Sequence, residues 1–170
     1  MRELEALNNI RYFEAPSEEY FVPEDGKSSR SIFIAGGITG CEEWQFKTSA
    51  RILENTKDDV CVFNPRRKNF VMEPGSSEKQ IEWEFHHLRH AHCILFWFAP
   101  RQMQPIVLYE LGAHSNAKER KPIFVGVHVK YPRYEDVLIQ TKLIRPEIKI
   151  FHTLTGLENQ VIDYFNKGGV

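Results

Sequence analysis

Cys93-Ile-Leu-Phe-Trp-Phe98, followed shortly by Pro105-Ile-Val-Leu-Tyr-Glu-Leu-Gly112, decides how this chain folds. The first run is short, aromatic and apolar at both alternating sets of positions, which is the pattern of a strand buried on both faces of a parallel sheet. Pro105 suits the first position of a helix, where a missing N–H loses no hydrogen bond. The pair therefore reads as strand, loop and helix. Glu110 falls about a turn and a half into that helix, near the carboxyl edge of a central strand. Open α/β sheets keep their ligands at that edge. A carboxylate in so apolar a segment is costly to bury unless something uses it, so Glu110 is the first candidate functional residue.

Strand and helix signals alternate on both sides of this stretch. Ser31-Ile-Phe-Ile-Ala35 reads as the first strand, before Gly36-Gly-Ile-Thr-Gly40 and a helix over about 42–57; Val60-Cys-Val-Phe63 reads as the second. Ser76-Ser77 is placed to cap a helix over about 79–91. Beyond Phe98, the helix carrying Glu110 runs to about 120. Strands are expected at 122–127 and 148–151, and helices at 135–143 and 157–165. Such alternation predicts a parallel sheet with right-handed crossovers. Residues 1–30, polar, with two prolines and a turn-like Glu24-Asp-Gly-Lys-Ser-Ser-Arg30, read as a leader before one domain over 31–170.

Composition bounds the function. A chain of 170 residues, 42% hydrophobic and 26% charged, has one core of ordinary size and needs no second domain. Its net charge of −1 gives no electrostatic reason for a nucleic-acid or anionic-membrane partner, and no apolar stretch approaches a membrane span. The opening MRELEALNNIRYFEAP is acidic and lacks the apolar centre of a signal peptide. Cys41, Cys61 and Cys93 are odd in number and lie on or beside strands, so free thiols in the cytoplasm are expected.

Several other residues carry possible chemistry. Gly36 and Gly37 let a ligand approach backbone N–H groups near a helix start, although in isolation a plain tight turn explains the loop equally well. Arg66-Arg67 is a local basic spot able to hold one phosphate. Glu82 and Glu84 lie on different faces of one helix, so at most one shares a cleft with Glu110; solvated surface is the ordinary fate of such a pair. His86 and His90 have a spacing that binds zinc elsewhere, but no HExxH and no cysteine pairs accompany them, and a metal site is not expected. Trp83 reads as core, and Trp44 as either core or a base-stacking residue.

Ser31 to Gly36 with Trp44-Gln45, Asn64-Pro-Arg-Arg67, Gln80-Ile-Glu-Trp-Glu84, the Cys93 to Phe98 strand and Pro105 to Gly112 occur in an order that resembles nucleoside 2-deoxyribosyltransferase-like proteins. The resemblance spans about 31–127 and extends to the related 2'-deoxynucleoside 5'-phosphate N-hydrolases. It implies a flavodoxin-like three-layer sandwich with a five-stranded parallel sheet, order 2-1-3-4-5. It also implies a cytoplasmic homo-oligomer acting on a nucleoside or nucleotide and a free base, with no cofactor. Glu110 matches the nucleophile that attacks C1', and Glu84 stands at the spacing of the family's catalytic acid. Gly36, Gly37, Trp44, Arg66, Arg67, Gln104 and Tyr109 are the implied substrate contacts. Such chemistry needs one carboxylate to capture an oxocarbenium-like sugar and one protonated acid to assist the leaving base.

The chain departs from the family pattern in three places. Phe33 replaces a first-strand Tyr, Gln104 stands where transferases tend to have Asp and monophosphate hydrolases Ser, and the C-terminal residues that complete a neighbouring subunit's site do not align. These departures touch substrate choice and efficiency; by the resemblance, transfer of a 2-deoxyribosyl group is the leading reaction. Hydrolysis of a nucleoside 5'-monophosphate, or nucleotide binding without turnover, are the alternatives.

Overall fold

A computed structural model of the chain describes residues 11–17, 30–57, 60–68 and 74–168. Six parallel strands form one sheet: β1 (Tyr12–Glu14), β2 (Arg30–Gly36), β3 (Val60–Asn64), β4 (Cys93–Phe98), β5 (Ile123–Val127) and β6 (Ile150–Phe151), in the order β1-β3-β2-β4-β5-β6. Among the described residues, five helices connect and cover them: α1 (Trp44–Asn55), α2 (Ser76–His90), α3 (Pro105–Ser115), α4 (Tyr134–Ile144) and α5 (Leu154–Asn166). The five expected strands are present in the expected order, but the sheet has a sixth, so the five-stranded expectation is corrected.

The added strand lies inside the stretch read as a leader. Tyr12, Phe13 and Glu14 pair with Val62, Phe63 and Asn64. Phe13 is buried in the core, and the Arg11 guanidinium donates to the carbonyls of Val60, Leu53 and Lys57. Buried Asn64 joins this edge to the next loop: its Nδ2 donates to the Tyr12 hydroxyl at 2.8 Å, and its Oδ1 accepts from the Arg66 N–H at 2.9 Å. The remaining expected turn before Arg30 falls mostly outside the described residues.

All six residues of β4 are buried, as its pattern required. One face of the sheet packs Phe33, Ile94, Phe96 and Phe98 against Trp83 and Leu88 of α2, Val107 and Leu111 of α3 and Val137 of α4. The other packs Ile32, Ile34, Leu95 and Trp97 against Ile52 and Leu53 of α1 and Leu157, Val161 and Phe165 of α5. α2 and α3 thus lie on the same face and bring their charged residues to one edge. Ser76 and Ser77 are the first residues of α2 and not its cap. The cap position is Gly75, whose φ of 79° accounts for a glycine there. At the other end of α2, the Lys121 ammonium donates to the carbonyls of Leu88, Arg89 and Ala91 at 2.7–2.8 Å, satisfying acceptors the helix leaves open. No helix among the described residues is long and apolar enough to cross a membrane.

Candidate active site

The chain runs from β2 to β3 on one side and then crosses back to β4 on the other, so the sheet order reverses between β2 and β4. A crevice opens at such a reversal. A cavity of about 250 Å³ occupies it, walled by Phe33, Ala35 and Gly36 of β2, the turn from Gly37 to Thr39, Pro65, Glu84 of α2, and Met103 to Val107 with Glu110 about the start of α3. Glu84 and Glu110 are its carboxyl groups and Gln104 its amide; no Lys or Arg lines it among the described residues.

The Glu110 side chain makes no hydrogen bond to the described residues, and the cavity wall beside it is largely apolar. Burial first, and the charge of Glu84 second, push its pKa from an ordinary 4.5 to about 8. Burial also raises Glu84, but less freely. Its Oε1 accepts a 2.7 Å hydrogen bond from Gln80 Nε2, and the Arg67 charge acts in the same downward direction. The two groups are thus unequal: one carboxyl has a donor and a cation behind it, the other has neither.

Gln104 is buried and precedes Pro105. Its Nε2 donates to the Ala99 carbonyl at 3.2 Å and lies 3.8 Å from Cys41 Sγ, which leaves Oε1 a buried acceptor without a donor. An unpaired acceptor in a cavity wall is suited to a ligand O–H or N–H. Phe33, where family enzymes carry Tyr, is buried in the cavity floor and packs on Trp83 with ring centroids 6.1 Å apart.

Of the residues the sequence singled out, Glu110, Glu84, Gly36, Gly37 and Gln104 come together here. Trp44, Arg66, Arg67 and Tyr109 do not line the cavity. Trp44 is buried, its Nε1 donating to the Gly37 carbonyl at 3.1 Å, and it props the turn from behind. Arg66 donates to the carbonyls of Glu42 and Cys41 and to Gln45 Oε1, tying down the segment that precedes α1. Arg67 donates to Gln80 Oε1 and to the Ser76 carbonyl. Tyr109 is 76% exposed on the outside of α3.

The glycines also have a different reason from the one their spacing offered. A Cβ on Gly36 would collide with the Trp44 ring and come within 2.6 Å of the Trp97 carbonyl; one on Gly37 would lie 2.6 Å from both Cys41 Sγ and Gln104 Cδ. Protein atoms, not ligand space, exclude a side chain there. α1 starts only at Trp44, so the turn does not lead straight into a helix N-terminus. Sequence reasoning assigned no role to Gln80, although it opens the quoted segment that ends in Glu84, and missed the apolar walls Met103 and Ile106, which resemble any helix-start residues.

The fold and the crevice define a doubly wound α/β protein with a paired-carboxyl pocket at its switch point. Residues 29–131 match a family model described as nucleoside 2-deoxyribosyltransferase like, and the chain belongs to that family. The match includes every residue that lines the cavity. This is a family of nucleoside deoxyribosyltransferase-like enzymes, which points to nucleosides or bases as substrates. A comparison with curated proteins found no match.

Proposed function

We propose that the protein cleaves the N-glycosidic bond of a 2-deoxynucleoside through a covalent ester on Glu110 and transfers the 2-deoxyribosyl group to a second base. The observation that carries this reading is the shared cavity of Glu84 and Glu110, two unequal carboxyls held partly out of water on neighbouring helices. As the C1'–N bond breaks, its electrons leave with the base, which takes a proton from Glu84. A Glu110 oxygen then bonds to C1'. In the second half a nitrogen of the acceptor base bonds to C1', the ester bond breaks, and the acceptor's N–H proton returns to Glu84.

The cavity's charge favours transfer from a nucleoside over attack on a nucleotide. Its titratable groups among the described residues are acidic, and Arg66 and Arg67 are engaged elsewhere, which disfavours a phosphate dianion. Gln104 Oε1 is well suited to accept from a sugar hydroxyl. Met103 and Ile106 line the cavity and are also largely exposed, with Phe85 and Tyr109 exposed on α2 and α3. This apolar edge supports a homo-oligomer in which a second copy covers the cavity mouth.

The test is a panel of nucleosides and 5'-monophosphates incubated with and without free acceptor base, with base release followed by chromatography. Wild type is expected to exchange bases on a deoxynucleoside, and Glu110→Ala to release none. Wild-type turnover by Glu110→Ala would remove the covalent mechanism, and absence of turnover on every substrate would leave a binding module.

A further inference from the structure

Gln80 lies outside the cavity wall, yet its amide is hydrogen-bonded to a carboxyl that lines it. Nε2 carries two N–H groups, and both are used: one meets the Pro65 carbonyl at 2.7 Å and the other Glu84 Oε1 at 2.7 Å. Its Oε1 accepts from Arg67 Nε, and Arg67 is itself anchored on the Ser76 carbonyl. Flipping the amide would set oxygen against two acceptors and N–H against a guanidinium, so only one orientation satisfies the network. Arg67 thereby fixes Gln80, and Gln80 fixes Glu84 at one oxygen. Oε2 accepts no hydrogen bond from the described residues, and Glu84 lines the cavity.

We propose that Gln80, oriented by Arg67, is a positioning residue that keeps Glu84 the ionised member of the carboxyl pair in the empty site, so that the resting proton sits on Glu110. Two side chains act on Glu84, Gln80 from its own helix and Arg67 from the loop after β3, and the Glu84 charge acts in turn on Glu110 of α3. β2 contributes only apolar side chains and glycine. Glu110 faces Glu84 alone among charged groups of the described residues. An N–H donated to a carboxylate favours its charged form, and Glu110 has no such donor.

The consequence rests on the proposed glycosyl transfer. Glu110 attacks only as a carboxylate, so nucleoside binding must move its proton to Glu84 Oε2, converting Glu110–COOH and Glu84–COO⁻ into Glu110–COO⁻ and Glu84–COOH. Gln80 then makes Glu84 a stronger acid toward the departing base than burial alone would leave it.

The experiment is a ¹³C NMR titration of the glutamate carboxyls in the free protein, assigned with Glu84→Gln and Glu110→Gln. Wild-type Glu84 is expected to titrate below Glu110. Gln80→Met, which keeps the chain length and removes the donor, should move the Glu84 midpoint up by about one pH unit, and the acid limb of kcat/KM for base release should move with it. If Gln80→Met does not fold, Gln80→Leu, which also removes the donor, should give the same upward shift of Glu84. Glu84 titrating above Glu110 in wild type, or an unmoved Glu84 midpoint in the folded variants, overturns the proposal. Wild-type protein with the expected titration order but no base release would instead remove the transfer reaction and leave the proton assignment standing.

Discussion

Glu110 makes the protein's stability depend on pH in a direction opposite to that of most surface carboxylates. Its pKa rises from 4.5 to about 8 because folding removes water and adds the Glu84 charge without supplying a donor. A carboxyl whose folded pKa exceeds its unfolded value binds its proton more tightly in the native state. Its stabilising contribution is complete below pH 4.5 and is lost progressively as pH rises through about 8. Over that window the slope approaches about 1.36 kcal/mol per pH unit. Between pH 5.5 and 7.5 the wild type should therefore lose about 2.5 kcal/mol relative to Glu110→Gln, which mimics the neutral acid at every pH. For a chain of this size that is a Tm difference of roughly 5–10 °C. Urea unfolding of both proteins at pH 5.5, 6.5 and 7.5 measures it, because histidines and other shared groups cancel in the difference. A wild-type minus variant stability that stays constant across the three pH values would refute the reasoning, since Glu110 would then be ionised in the native cavity throughout.

Three further outcomes follow from the same geometry. Glu84→Gln should slow release of a poorly leaving base by about 10²–10⁴-fold while barely affecting an activated nitrophenyl-type leaving group, and equal slowing of both would assign Glu84 to positioning. Gly37→Ala should cost about 1–3 kcal/mol of stability and depress turnover, because its Cβ meets Cys41 Sγ and the Gln104 amide; chemical unfolding and base release read the two effects. Calorimetry should find a nucleoside bound at least as tightly as its 5'-monophosphate, and a clear preference for the monophosphate would revive the hydrolase reading.

Much of this fold was legible because its strands are buried on both faces. Cys93 to Phe98 and Ile123 to Val127 have no polar positions to confuse their period, and the Pro105 start fixes where α3 begins. β1 was not legible. Three residues, Tyr12-Phe-Glu14, are too few to show alternation, and the strand is held by Arg11, Tyr12 and Asn64 through contacts far apart in sequence. The site divides in the same way. Glu110 was visible as a charge among apolar neighbours, whereas Gln80 looks like any polar helix residue until Pro65 and Arg67 are brought beside it. Arg66 and Arg67 looked available because charge is visible in sequence, while the carbonyls that occupy them are not.

The substitution of Phe33 for Tyr gives the unequal carboxyls a chemical meaning. A first-strand hydroxyl in this cavity wall would add a donor; phenylalanine offers none, and the Glu110 side chain makes no hydrogen bond to the described residues. Catalysis depends on interactions that are stronger in the transition state than in the ground state. On the proposed mechanism, a carboxylate poorly stabilised by the protein gains most when a cationic sugar forms beside it, and Glu84, held by Gln80, takes up the proton that Glu110 loses. The missing tyrosine is therefore compatible with turnover, provided that the proton moves between the two carboxyls before the glycosidic bond breaks.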